Sequence, residues 1–514
     1  MGSRPAPSRG DVTDARSWRA AVLVCLAAGA VRLVIGALTP LFPDETYYWD
    51  WSRRLAAGYF DHPPFIALLI KPGTVIAGTT PLGVRLGPIV AGVIGVLFVC
   101  ATARRLYGDR AAFLAALMLA AMPLSAAGLV LATPDAPLLA AVAATIYCVV
   151  RALRQPSRSG GSLVWWSMAG IALGLAMASK YTAVLVPVGV FIALLARREL
   201  RPRLTEPGPY LATVVALAVF SPVVIWNARH DWASFAFQLG HGLGSVGGSI
   251  VKRELDLIGG QLGLVTPILF VMIAIAVARA LKTRETVPPV LAVAAMVVFA
   301  FFMYSATKRR VEANWPALAY LPAIVLAAGY PGADRWRRWL NAGVILAGVL
   351  SLVAYVNAFT PILPVPARRD PAARASGWDD LGRAVNQLYE PRLSISSRRT
   401  WVAADRYQDA SELAFHVPSH PGTFSLNLAG RTNQYALWPG FADMAQPGDA
   451  MIVVLDDTQD MHPTAERLVP HFETIERGDG VPLARNGDVV KTLRIWILER
   501  WRGTWPEPEI RSRP

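Results

Sequence analysis

The sequence predicts a mainly α, polytopic membrane protein that ends in a small water-soluble α/β domain. Of its 514 residues 54% are hydrophobic and 17% charged, with a mean hydropathy of +0.38, whereas soluble domains carry nearer a quarter charged residues. Apolar runs able to cross a hydrocarbon core of ~30 Å, which takes about 20 residues, recur near 19–40, 83–103, 111–130, 136–153, 163–179, 181–196, 209–227, 256–279, 287–305, 314–330 and 339–359. These make about eleven spans. Hydropathy then ends near Thr360. The expected organisation is a cytoplasmic tail over 1–18, a membrane domain over 19–360 and an extracytoplasmic domain over 361–514.

Orientation follows from the basic residues. With the N-terminus inside, the inner segments hold twenty Arg and Lys, and the longer outer segments hold ten. The positive-inside rule therefore puts the N-terminus in the cytoplasm and the C-terminal domain outside a cytoplasmic (inner) membrane. Loops facing an anionic leaflet also explain most of the net charge of +14, so no nucleic-acid partner is needed. The first apolar run lacks a small-residue cleavage site, and no cleaved signal peptide is expected. Cys25, Cys100 and Cys148 all fall within spans, which implies buried thiols rather than a disulfide framework.

The first outer loop begins "PLFPDETYYWDWSRRLAAGYFDHPPF". Tyr47, Tyr48, Trp51 and Leu55 have helix-compatible spacing, with Asp44 placed as N-cap and Gly58 as a stop. The next segment repeats the design, with Asp61 as a cap and an apolar body too short to span. Both read as amphipathic helices at the outer membrane surface, their aromatics at headgroup depth.

Five segments carry a resemblance as an ordered set: Pro43-Asp44-Glu45, Asp61-His62-Pro63-Pro64, Thr133 to Pro137 (TPDAP), Ser179-Lys180-Tyr181-Thr182, and Val311 to Pro316 (VEANWP). Together they resemble the bacterial branch of the protein O-mannosyltransferase and lipid A aminoarabinose transferase superfamily, integral membrane glycosyltransferases of the GT-C fold. The resemblance covers roughly residues 20–330. It implies an enzyme that takes a sugar from a polyprenyl-phosphate carrier outside the membrane and gives it to a lipid, glycan or protein acceptor. It also implies that the acid of the first outer loop is catalytic, which here is Asp44 with Glu45 beside it.

The chemistry supports that position independently. A sugar joined through phosphate to a polyprenol already has a good leaving group, so the enzyme needs a base for the acceptor hydroxyl more than an acid. Direct displacement would invert the anomeric centre. Asp44 serves as that base or as a helix cap worth about 1 kcal/mol, and the roles are compatible. Glu45 orients Asp44, binds sugar, or is a first-turn carboxylate favoured by the helix dipole.

Lys180 and the triplet Lys308-Arg309-Arg310 are candidates for the donor phosphate, because Lys and Arg bind phosphate by charge-assisted hydrogen bonds. Snorkelling to ordinary membrane lipid is the alternative. Glu312 and Asn314 are candidates to orient these cations. Asp61, His62 and Asp135 are candidate substrate contacts, each balanced against a capping or interfacial role. His62 with His230, Asp231 or His241 leaves a divalent cation open, although no ligand spacing supports a metal site and no cofactor is certain. The stretch 240–248, with five glycines, reads as a mobile lid near an aromatic patch or as a lipid-facing loop.

In the C-terminal domain, "TWVAADRYQDASELAFHV" predicts a strand then a helix, and "GDAMIVVLDD" and "VKTLRIWILERWRG" two further strands. Nothing in it marks a second active site. A transporter or lipid flippase is the alternative for a polytopic chain. It fits less well, since the acids cluster at outer loops and no Gly/Pro-broken pair of spans repeats.

Overall fold

The computed structural model describes residues 9–244, 247–330, 334–395, 398–428, 431–457 and 461–506. In chain order the helices begin α1 (Arg9–Leu38), α2 (Pro43–Arg53), α3 (Phe65–Ala77), α4 (Pro81–Tyr107), α5 (Asp109–Ala121), α6 (Pro123–Gly128), α7 (Asp135–Leu153), α8 (Gly160–Met177), α9 (Leu185–Ala196) and α10 (Pro207–Ala228). There follow α11 (Ala233–Leu243), α12 (Ile250–Val265), α13 (Pro267–Ala280), α14 (Val287–Lys308), α15 (Ala317–Ala328) and α16 (Asp334–Phe359). Two units result: Met1–Leu38 with Ala56–Tyr355, and Thr39–Leu55 with Val356–Pro514.

Within the first unit, seven helices among the described residues are long and apolar enough to cross a membrane, or eight if α12 and α13 make one broken span. The segments 111–130, 181–196 and 314–330, expected as full spans, fold into shorter helices. Pro123 starts α6 directly after α5 ends, and a 3-10 turn over Tyr181–Val184 precedes α9. Thr266 sits at φ 75°, and the axis bends by 101° between α12 and α13. Its hydroxyl accepts the Leu269 N–H at 3.4 Å, so the residue that ends one helix caps the next.

Small residues let these helices approach closely, as expected where lipid supplies no hydrophobic drive between helices. A Cβ at Gly170 of α8 would lie 2.4 Å from the Ala212 carbonyl oxygen of α10. Any side chain there would force the pair apart. Further packing joins α7 to α8, α4 to α7, and α1 to α4 and α5.

The second unit carries α17 (Trp378–Ile395), β1 (Thr400–Ala404), α18 (Tyr407–His416), β2 (Thr423–Ser425), α19 (Phe441–Met444), β3 (Ala450–Asp456), α20 (Pro463–Leu468), β4 (Phe472–Arg485) and β5 (Asp488–Trp501). Its five-stranded sheet has the order β2-β1-β3-β5-β4. β1 pairs in parallel with β2 and β3, and β5 runs antiparallel to β3 and β4. Hydrophobic residues at nearly every position of β3 match a central strand covered on both faces. Met451, Val453, Trp496 and Leu498 pack one core with Phe441 and Trp501.

The helix α2 belongs to this second unit. It does not lie at a surface with its aromatics in lipid: nine of its eleven residues, among them Tyr47, Trp49 and Trp51, are buried. Trp49 meets Phe415 of α18 edge-on at 5.0 Å, and Tyr47 lies 4.6 Å from Tyr407 and 5.9 Å from Tyr435. Aromatics on every side of the helix give it several packing faces. A sequence reading confined to the first loop contains no partner for them.

Candidate active site

Asp44 lies in the first turn of α2 but does not cap it. The helix starts at Pro43, so the N-cap is Phe42, and Glu45 three residues on accepts the Phe42 N–H at 3.0 Å. Glu45 is therefore the fully buried capping carboxylate. Asp44 is half-buried, and Gln408 of α18 donates to its Oδ1 at 3.0 Å. Asp50, buried on the same helix, takes Arg53 at 3.2 Å and the Tyr435 hydroxyl at 2.9 Å. Burial beside that carboxylate pushes the Tyr435 phenol well above its ordinary value. Of the α2 acids, Glu45 and Asp50 are buried, and Asp44 is the more exposed.

In the first unit the structure brings three of the candidates together. Asp135 is the first residue of α7, where the helix dipole favours a carboxylate. Lys180 Nζ lies 2.7 Å from its Oδ1, and Asn314 Nδ2 donates to its Oδ2 at 2.6 Å. The side chains of Lys180 and Asp135 are only 13% and 15% exposed. Lys180 is extended between α8 and the 3-10 turn, and the next residue fixes that turn: the Tyr181 hydroxyl meets Ser234 Oγ at 2.8 Å and Asn227 Nδ2 at 3.3 Å. An ammonium has three donors. One engages Asp135.

The three cations of the triplet meet different partners. Lys308 lies over the Tyr304 ring at 5.7 Å, Arg309 donates to the Gly240 carbonyl at 3.0 Å, and Arg310 pairs with Glu312 at 3.6 Å. Both members of that last pair are more than half exposed, and such a contact contributes little. Glu312 thus reaches Arg310, while Asn314 turns to Asp135.

Asp61 does not cap α3, which starts at Phe65 behind Pro64. Gln238 donates to its carbonyl and meets His62 Nδ1 at 3.3 Å. His230 stacks on Trp226 at 4.1 Å with Nδ1 2.8 Å from the Trp226 carbonyl oxygen, and His241 stacks on Phe237 at 5.4 Å. Among the described residues no group of three His, Cys, Asp or Glu could hold a metal ion. The glycine-rich stretch is helical to Leu243 and held by Ser305 on the Gly242 carbonyl at 2.6 Å; its residues 245 and 246 lie outside the described residues.

Sequence reasoning missed Gln408, whose neighbour Asp44 is 364 residues away and which stands in no motif. It also missed Arg32 and Arg85, buried on α1 and α4, where Arg85 donates to the Gly36 carbonyl at 3.0 Å. An arginine inside an apolar run was the available signal.

The family described as dolichyl-phosphate-mannose-protein mannosyltransferase matches residues 61–226, a segment that includes Asp61, His62, Asp135 and Lys180. Over 344 residues the chain is 29% identical to lipid A galacturonosyltransferase RgtD of Rhizobium johnstonii, covering 66% of this chain and 70% of that protein. Over 215 residues it is 30% identical to an undecaprenyl phosphate-alpha-4-amino-4-deoxy-L-arabinose arabinosyl transferase of Pseudomonas paraeruginosa, covering 39% of each. The crystal structure of ArnT from Cupriavidus metallidurans bound to undecaprenyl phosphate superposes with a TM-score of 0.65 at 17% identity, over 95% of this chain and 99% of that one. That last likeness is one of fold. The chain therefore has the fold of that membrane enzyme, and in sequence it is similar to the mannosyltransferase family over residues 61–226 and to a lipid A galacturonosyltransferase over two thirds of its length.

Proposed function

We propose that this enzyme moves a sugar from a polyprenyl-phosphate donor to a hydroxyl of an envelope glycolipid, glycan or protein on the outer side of the cytoplasmic membrane, with inversion. One observation carries the reading. Among the α2 acids Asp44 alone is half-exposed, with a single oxygen engaged, while Glu45 and Asp50 are buried in capping and pairing. A carboxylate held on a rigid helix, and still open on one oxygen, suits a general base. The likeness to a lipid A galacturonosyltransferase favours a lipid acceptor.

In this mechanism Asp44 takes the proton of the acceptor hydroxyl as its oxygen attacks the anomeric carbon. The bond from that carbon to the phosphate oxygen breaks, and the polyprenyl phosphate leaves with the electron pair. Lys180, kept in place by Asp135, supplies charge to the departing phosphate, and Lys308, Arg309 and Arg310 are further cations for the donor. Asp61, His62, Glu312 and Asn314 are retained as candidate substrate contacts. The N-terminus lies in the cytoplasm, and the shorter apolar helices bring the number of crossings to about eleven. Residues 361–514 lie outside.

Mass spectrometry of lipids and surface glycans from cells with and without the protein tests the proposal. A polyprenyl-linked sugar that accumulates in its absence, together with a glycoconjugate lacking the same sugar, is the expected result. Identical profiles would contradict it.

A further inference from the structure

The contact that holds Asp44 comes from the part of the sequence that showed no chemistry. Gln408 stands in the first turn of α18, and its amide nitrogen donates to Asp44 Oδ1 at 3.0 Å. A second contact ties the same two helices close by: the Ser411 and Thr46 hydroxyls lie 3.1 Å apart, and Ser411 Oγ also donates to the Gln408 carbonyl at 2.9 Å. Thr46 in turn donates to the Pro43 carbonyl at 3.0 Å. Tyr47 bridges from the side, its hydroxyl accepting the Gln434 N–H at 2.7 Å and its ring facing Tyr407. Gln408 is therefore fixed to the helix that carries Asp44 by contacts on either side.

We propose that Gln408 is a positioning residue for the catalytic carboxylate, and that α18 thereby takes part in sugar transfer. The inference rests on the reading of Asp44 as the base. A carboxylate on a side chain with two rotatable bonds swings unless something holds it. An amide donor suits the task because it occupies one oxygen and fixes the plane of the group. The second oxygen is left to accept the hydroxyl proton. A guanidinium in the same place would engage both oxygens in a bidentate pair. The neutral amide also has no positive charge to discourage proton uptake. Among the described residues no other side chain is hydrogen-bonded to Asp44, so the hold on the base depends on this glutamine.

The test uses the full-length protein in membrane vesicles from cells that lack the native copy, so that the vesicles supply their own donor and acceptor. Product formation is followed by mass spectrometry, with thermal stability and undecaprenyl phosphate binding measured alongside. A hydrogen bond to a charged group contributes about 1.5–3 kcal/mol, so Gln408→Leu should slow maximal transfer by roughly 10- to 100-fold. Melting temperature and undecaprenyl phosphate affinity should stay unchanged. Gln408→Glu suits a helix N-terminus but sets an acceptor against Asp44, and should be slower still. Gln408→Lys restores a donor but adds the positive charge that discourages proton uptake, and should recover only part of the rate lost in Gln408→Leu. Wild-type rates in Gln408→Leu and Gln408→Glu, with Asp44→Asn inactive, would overturn this inference alone. A wild-type rate in Asp44→Asn would overturn the reading beneath it. Equal losses of melting temperature and rate in all three Gln408 variants, Gln408→Lys included, would make the residue structural and overturn the proposal.

Discussion

Lys180 Nζ and Asp135 Oδ1 lie 2.7 Å apart, joining the end of α8 to the start of α7. The pair is mostly shielded from solvent, and Asn314 occupies the other oxygen of Asp135 at 2.6 Å. The lysine that the sequence offers as a candidate phosphate ligand is thus held by a carboxylate.

Removing one partner of a shielded ion pair leaves the other charge uncompensated, at a cost of ~3–5 kcal/mol for full burial. Lys180→Ala and Asp135→Ala should each lower the melting temperature, and the double variant should lose less than the two together. Undecaprenyl phosphate affinity should also fall in Lys180→Ala, by less at high salt, where screening weakens the contact. Wild-type stability in both single variants, with unchanged affinity, would remove both roles.

Much of this fold was legible in the sequence because membrane physics writes itself in runs. The long spans, α18 after β1, and the strands β3 and β5 all follow from hydropathy or period. The hairpin between β4 and β5 carried a signal that went unread: Asn486 and Gly487 have φ of 49° and 91°, the left-handed backbone that an Asn-Gly turn supplies. What could not be read was pairing over distance. The aromatics of α2 look lipid-facing until Phe415, Tyr407 and Tyr435 arrive from more than 350 residues away. Lys180 looks like a free cation until Asp135, itself held by Asn314, meets it. Neither Asp44 nor Asp61 is a cap, because α2 already starts at Pro43 and α3 starts only at Phe65, behind Pro63-Pro64.

Glu45, not Asp44, caps α2, so the two substitutions should separate. Glu45→Ala removes an acceptor worth about 1 kcal/mol and should lower the melting temperature. Asp44→Asn should not. Equal melting temperatures for Glu45→Ala and wild type would show that the Phe42 N–H contact contributes nothing.

His416 lies 2.7 Å from Asp379 and 3.1 Å from Glu412. Burial alone would lower its pKa, but the two carboxylates outweigh that and raise it to about 9. Burial raises Glu412 to about 7, against the opposing pull of His416. A histidine raised in the folded state contributes stability that is complete below about pH 6.5 and lost as pH climbs through 9. A carboxyl raised by burial likewise loses its contribution between about pH 4.5 and 7. Amide exchange in α17 and α18 should therefore quicken, beyond the intrinsic base catalysis, as pH rises from 6.5 to 9. His416→Gln should flatten that response, and an unaltered slope in that variant would contradict it.

The topology rests on the twenty-to-ten asymmetry of basic residues. Cysteines introduced at Ser157 and Ser376 report the two sides, since Cys25, Cys100 and Cys148 are buried. In intact spheroplasts an impermeant thiol reagent should label the cysteine at 376 and spare the one at 157. The reverse pattern would invert the protein and remove the outer active site.

Single-turnover sugar transfer by purified Asp44→Asn, measured with its melting temperature, tests the central claim most directly. Asn keeps the size of Asp and accepts or donates at the same place, so α2 should stay packed against α18. Loss of a general base costs about 10²–10⁴-fold in rate. A variant that melts like wild type and transfers at least a hundredfold more slowly is the predicted result, and turnover near wild type would contradict it.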